Sequence, residues 1–217
     1  MTSDGSSLGT IGIDESGKGD YFGALVIAGA HVTVGKEAEL RELGVRDSKT
    51  LSDKRVLELA HRISAVCVTT IVAVSPERYN NLYSKINNLN KLLAWGHARA
   101  IENVLDEVRC DTVISDQFGR KQTLENALMQ KGRSVNVIQK PHAEEHISVA
   151  AASVLARAEF LARLTSMSAQ FCIDFPKGAS AKVISTGKTF LNQHGVDALA
   201  QVAKLHFKTT SKVMARD

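Results

Sequence analysis

Residues 10–34 read TIGIDESGKGDYFGALVIAGAHVTV. Thr10–Asp14 reads as a short strand that ends in carboxylates. Phe22–Val34 is rich in Val, Ile and Ala and predicts a longer strand. Between them lie the paired acids Asp14 and Glu15 and a glycine-rich turn, Gly17-Lys18-Gly19. Two strands in succession with charge gathered at the end of the first point to a sheet. Its site is expected where strands give way to loops.

Further strands follow. Val66–Val74 (VCVTTIVAV) is strongly β-branched and predicts a central strand. Asp111–Asp116 (DTVISD) and Ser134–Ile138 predict two short ones. Helical patterns lie between them. Ser52 caps a helix running to about Ala65. Asn88–Val108 carries Leu89, Leu92, Leu93, Ile101, Val104 and Leu105 at helical spacing, and Glu144–Leu164 carries Ile147, Ala151, Val154, Leu155, Ala158 and Leu161. Gly195–Phe207 predicts a last helix. The expected fold is α/β, a mixed β-sheet flanked by helices. No repeat or linker divides it, so one domain is expected over residues 9–217, after a short polar tail at 1–8.

Composition narrows the class. The 217 residues are 44% hydrophobic and 23% charged with only 3 Pro, which excludes a disordered chain or a fibre. Apolar stretches such as Phe22–His31 are too short to span a bilayer, and the N-terminus has no secretory pattern, so no membrane partner is expected. Cys67, Cys110 and Cys172 are odd in number and far apart, which suits buried thiols in a reducing compartment and a cytoplasmic protein. Net charge is +4, and Lys177, Lys182, Lys188, Lys204, Lys208 and Lys212 crowd the C-terminal part. That part is a candidate surface for a polyanion.

The carboxylates carry the chemistry. Asp14, Glu15 and Asp116 each fall at a predicted strand end. Glu144 and Glu145 open the helix that continues as VAAAS, whose small residues let it press on the sheet and whose dipole favours an ionised acid. Such a cluster, without Cys or paired His ligands, suits a hard cation, Mg²⁺ or Mn²⁺. Two mimics fail. Gly12 to Lys18 nearly spells a P-loop, but Gly19 stands where Ser or Thr is needed and two acids lie inside the cradle. His142 to His146 matches H-x-x-E-H, but Pro141 puts His142 at or before the helix start.

GIDESGKGDYFGALVIAG at residues 12–29 resembles the first motif of the type 2 ribonucleases H, specifically the ribonuclease HIII branch, since the HII branch typically has Gly-Arg-Gly and no Tyr-Phe. Other segments resemble that branch in the same order: Asp47-Ser48-Lys49, NNLNKLLAW from Asn87, SDQF from Ser115, Ala143-Glu144 leading to VAAAS, FPKGAS from Phe175 and AKLHFK from Ala203. The resemblance covers about residues 9–212. It implies a ribonuclease H-like fold and a monomeric endonuclease that cuts the RNA strand of RNA/DNA hybrids, leaving 5′-phosphate and 3′-hydroxyl ends with a two-metal Mg²⁺ or Mn²⁺ site. It implies Asp14, Glu15, Asp116 and Glu144 as catalytic and metal-binding acids. Gly17, Lys18, Gly19, Lys49, Lys204 and Lys208 are expected to meet substrate phosphates, and Ser180 stands where the HII branch reads a junction with Tyr. Relatives usually carry an extra N-terminal domain, whereas here the first motif starts near Met1. The alternatives are an HII-like cutter at single ribonucleotides and a non-catalytic nucleic-acid-binding module of the same fold.

Overall fold

A computed structural model describes residues 8–215; the tail expected at 1–8 lies, but for Leu8, outside the described residues. Five strands, β1 (Thr10–Ser16), β2 (Leu25–Val32), β3 (Val68–Val74), β4 (Thr112–Asp116) and β5 (Asn136–Lys140), form one sheet in the order β3-β2-β1-β4-β5. β1 is thus the middle strand. It pairs in parallel with β4 (Ile11 with Val113, Ile13 with Ser115), and β4 pairs in parallel with β5. The helices are α1 (Val34–Glu42), α2 (Asp53–Val66), α3 (Pro76–Ile86), α4 (Leu89–Glu107), α5 (Lys121–Glu125), α6 (Ile147–Phe171), α7 (Ala181–His194), α8 (Leu199–Val202) and α9 (Lys208–Met214).

The residues gather into two compact units. The first holds residues 8–15, Ile27–Val72 and Asn88–Ala158; the second holds Ser16–Val26, Ala73–Asn87 and residues 159–215. In the first, Ile11, Ile13, Val113 and Ile114 of the sheet are buried together with Leu93, Ile101 and Val104 of α4 and Ala150 to Val154 of α6. The expected start signals hold: the Ser52 hydroxyl accepts from the Arg55 amide and the Asn88 side chain from the Lys91 amide. In the second unit the core is aromatic: Phe22 and Phe175 lie 4.8 Å apart, and Phe175 and Phe190 5.8 Å.

Four expectations need correction. Val68–Val74 is an edge strand, not a central one, and Ile71 is 38% exposed. β-branching reports a backbone preference and does not say how many neighbours a strand has. The second strand starts at Leu25 rather than Phe22, because Gly23 takes φ +85°. Gly195–Phe207 is not one helix: Gly195 stops α7 at φ +79°, and only the short α8 follows before α9. α1, α3, α5, α7 and α9 went unforeseen, α1 because Leu40 is its only buried residue and it shows no apolar stripe.

Candidate active site

β1 delivers Asp14 and Glu15 at the end of the middle strand. Helix α6 lies so close that a Cβ on Gly12 would sit 2.1 Å from the Ser148 backbone, so glycine alone fits there. That approach brings Ser153 to Asp14, whose carboxylate accepts hydrogen bonds from the Ser153 hydroxyl and, at 2.8 Å, from the Glu15 amide. The Ser153 and Ser48 hydroxyls are 2.8 Å apart. Arg157 donates to the Ser48 carbonyl and, at 2.5 Å, to Asp53 Oδ1. These bonds tie the Asp47-Ser48-Lys49 turn to α6.

Asp116 ends β4 beside β1, and its Oδ1 accepts from the Ala143 amide at 3.2 Å. This bond holds the turn that bears Glu144. Here the sequence reading is corrected: α6 begins at Ile147, and Glu144 and Glu145 occupy a separate single turn of 3₁₀ helix, Ala143–Glu145. Neither therefore sits in the first turn of α6 on which the dipole argument relied. The Glu144 side chain is 20% exposed and its Oε1 is 3.7 Å from His142 Nδ1. Glu145 is exposed. His142 is exposed in the left-handed region, φ +55°, away from any shared helix face with His146.

The electrostatics connect these acids. Burial, reinforced by the neighbouring Glu15 charge and to a lesser degree by Asp116, raises the Asp14 pKa from 3.8 to about 8, against the pull of its two hydrogen bonds. Burial lowers the Lys49 pKa, but Asp47, Asp14, Glu144 and Asp116 together outweigh it and hold the ammonium above its ordinary value. Lys49 thus feels three of the four expected acids, and Asp14 feels the other. Among the described residues, no three His, Cys, Asp or Glu side chains are grouped tightly enough to hold a metal ion as they stand. The donor set is nonetheless all oxygen and mutually repulsive, the condition a hard divalent cation relieves.

The glycine-rich loop belongs to the second unit. Gly17 takes φ +84°, and a Cβ there would meet the Ala24 carbonyl at 2.1 Å. Gly19 has no neighbour within 4 Å, so the fold does not require its missing side chain. The expected role of Lys204 is overturned. Its side chain is fully buried and cannot meet solvent-side phosphate. Its ammonium donates to the Asp20 carbonyl at 2.8 Å and the Gly23 carbonyl at 2.7 Å. The Lys204 amide donates to the Tyr21 carbonyl, and Asp20 Oδ1 accepts from the Gly178 amide at 2.6 Å. The late motifs FPKG and AKLHF therefore clamp the loop's backbone. Burial lowers the Lys204 pKa to about 7, with Asp20 pulling the other way. Lys208 is exposed at the start of α9, and Ser180 is exposed just before α7.

Sequence reading missed His97, which is fully buried on α4 with Nε2 3.1 Å from Glu15 Oε2. The signal was present: it is a polar residue on the apolar stripe between Leu93 and Ile101.

Residues 11–210, which carry the acid-ended middle strand, the second acid-bearing strand and the acid-bearing turn, match the model of the family described as Ribonuclease HII. The chain belongs to that family of type 2 ribonucleases H and is an endonuclease of RNA/DNA hybrids. Its relatives narrow the branch. It is 44% identical over 206 residues to Ribonuclease HIII of Protochlamydia amoebophila, covering 95% of this chain and 68% of that one. A solved structure of Bst-RNase HIII in complex with Mn²⁺ superposes with a TM-score of 0.90 at 33% identity, covering 96% of this chain and 70% of that one. RNase HII from Archaeoglobus fulgidus matches at 0.80 and 28% identity, covering 96% and 98%. Among the described residues no helix is long and apolar enough to cross a membrane.

Proposed function

We propose that Asp14, Glu15, Asp116 and Glu144 are the catalytic acids of a ribonuclease HIII, and that they hold two divalent ions, Mg²⁺ or Mn²⁺. The carrying observation is the placement of Asp14 at the end of the middle strand, where Glu15 and Asp116 both act on its carboxyl, with Lys49 feeling Asp14, Glu144 and Asp116 together. Ions bound there would supply a nucleophilic water and stabilise the leaving 3′ oxygen, giving 5′-phosphate and 3′-hydroxyl ends. The protein's part is to orient its carboxylates: Ser153 and the Glu15 amide orient Asp14, and the Ala143 amide orients Asp116. Lys49 is a cation positioned for a phosphate oxygen or for quieting the acids between turnovers. Gly17 and Gly19 let a backbone phosphate approach Lys18, and exposed Lys208 adds charge outside. The enzyme acts as a cytoplasmic monomer. Cleavage of a labelled hybrid with and without Mg²⁺ or Mn²⁺ tests the reading directly; turnover at full rate in chelator sinks it.

Glu144 and Glu145 separate cleanly. Glu144→Gln is expected to lower kcat by about 100-fold or more, at or beyond the upper end of what losing a partner that merely orients a ligand costs, while Glu145→Gln leaves turnover near the parent's. The opposite pattern moves the fourth acid by one residue.

Substrate choice is the next test. With Ser180 in place of a junction-reading ring, a lone ribonucleotide in duplex DNA is expected to be cut far more slowly than a run of ribonucleotides. Lys208→Ala is expected to keep kcat and to flatten the salt dependence of KM by roughly 0.7–0.9 log units per tenfold salt, the share of one neutralised phosphate. Steady-state rates on both substrates across a salt series read both. Efficient cutting at the lone ribonucleotide favours the HII-like alternative.

A further inference from the structure

Helix α4 places a histidine where its neighbours are almost all apolar. Leu92, Leu93, Ala94, Ala98, Ala100 and Ile101 are buried around it. The helix is pressed onto the sheet: a Cβ on Gly96 would lie 2.6 Å from Ile27 Cδ1. At this depth the His97 imidazole has no exposure, and Phe118 covers it with ring centroids 4.5 Å apart. A polar ring in such a place is costly unless both nitrogens are satisfied. They are. Nε2 lies 3.1 Å from Glu15 Oε2, and Nδ1 lies 3.0 Å from the Ser115 hydroxyl. Ser115 Oγ also lies 3.1 Å from the Asp116 carbonyl, and its one proton is shared between that carbonyl and Nδ1. A carboxylate only accepts, so Nε2 carries the proton in the bond to Glu15.

The chain Glu15–His97–Ser115 links the Glu15 carboxylate on β1 to the residue before Asp116 on the neighbouring strand β4, ending at the Asp116 backbone carbonyl. A strand end fixes a backbone, but a glutamate has three further torsions, and each leaves its carboxylate free to swing. Packing holds the imidazole on every side, so its Nε2–H sets one oxygen of Glu15 and with it the plane of the carboxylate. Ligating carboxylates depend on such partners for orientation.

We propose that His97 is a positioning residue: its Nε2–H orients Glu15 for metal, and through Ser115 it keeps the Asp116 end of β4 in register with Glu15. The proposal rests on the reading of Glu15 as a metal-binding acid. His97 touches no substrate, so its loss acts on metal affinity and kcat and spares KM for the hybrid.

His97→Leu keeps an apolar side chain of similar reach and removes both bonds. His97→Gln places an amide N–H near the Nε2 position and keeps the donor. Ser115→Ala removes only the far link. The first measurement is Mn²⁺ binding to the folded protein without substrate, by calorimetry; the second is steady-state cleavage. His97→Leu is expected to weaken Mn²⁺ binding and lower kcat each by about 10–100-fold, with KM within about twofold of the parent. His97→Gln is expected to restore most of both, and Ser115→Ala to give a smaller loss of the same kind. A folded His97→Leu that binds Mn²⁺ like the parent overturns the proposal. Should His97→Leu fail to fold, a His97→Gln protein as impaired as Glu15→Gln overturns it instead, since the donor is then not what matters. Glu15→Gln is the control for the site itself: parent-like Mn²⁺ binding and turnover there bring down the carboxylate assignment, and the role of His97 with it.

Discussion

Asp14→Asn is expected to lower kcat on an RNA/DNA hybrid by about 10³-fold, or about 4 kcal/mol of transition-state stabilisation, while raising the Tm of the metal-free protein. The two effects share one cause. Asp14 is 9% exposed at the end of the middle strand, with Glu15 next to it and Asp116 near it. Without a cation, an ionised Asp14 is therefore disfavoured by burial and by both neighbours. Its pKa of about 8 lies above the ordinary 3.8, so the folded chain binds a proton that the unfolded chain releases. The stabilisation this gives is complete below about pH 4 and is lost as the pH rises through 8. Asn is isosteric, still accepts from the Glu15 amide, and carries no charge to expel. The variant is thus expected to gain most over the parent above pH 8 and to lose the parent's downward slope across that window. Melting curves in chelator from pH 5 to 9, beside hybrid cleavage with Mn²⁺, read both arms. Normal cleavage by Asp14→Asn removes Asp14 from the site; a metal-free Tm well below the parent's refutes the repulsion argument.

Sequence made the acid pairing legible because charge at a strand end has no cheap structural explanation. Asp14, Glu15 and Asp116 all lie where β1 and β4 run out, and the register of Ile13 with Ser115 makes those ends neighbours. Helix starts at Ser52 and Asn88 were legible because capping is local chemistry. Sheet order was not: the β-branched run Val68–Val74 belongs at the edge, and nothing local encodes which strands flank it. The start of α6 was misplaced for a related reason. Apolar spacing runs back through Glu144, but the left-handed His142 and the bond from Ala143 to Asp116 hold that turn apart from the helix. His97 escaped notice because a single histidine in an apolar stripe has no partner within the helix. Its partners, Glu15 and Ser115, are 82 and 18 residues away in sequence. Lys204 misled most, since a lysine in a basic region reads as surface until its burial is known.

Lys204→Met is expected to lower the Tm by about 6–12 °C and to raise KM for the hybrid, leaving the net surface charge that solvent sees unchanged. Methionine matches the lysine stem in length and apolar character, so what goes is the ammonium. Two backbone carbonyls, of Asp20 and Gly23, then lose a buried donor. The cost of stranding them is about 3 kcal/mol after the relief of no longer burying a cation, which gives the stated shift for a chain of this size. Asp20 and Gly23 bracket the end of the Gly17–Gly19 loop, so loosening them blurs the loop that is proposed to receive a phosphate. The pH signature is specific. Burial sets the Lys204 pKa at about 7 against an ordinary 10.5, so between those values the unfolded chain binds more protons than the folded one. Stability from this group therefore rises as the pH climbs from 7 to 10.5. The parent is expected to show that rise and Lys204→Met to lack it. Lys208→Ala, at an exposed lysine, supplies the contrast: an unchanged Tm with a flatter salt slope. A Lys204→Met protein that melts like the parent and loses salt dependence would return Lys204 to the substrate surface, because only a solvent-facing ammonium can exchange counterions with a phosphate.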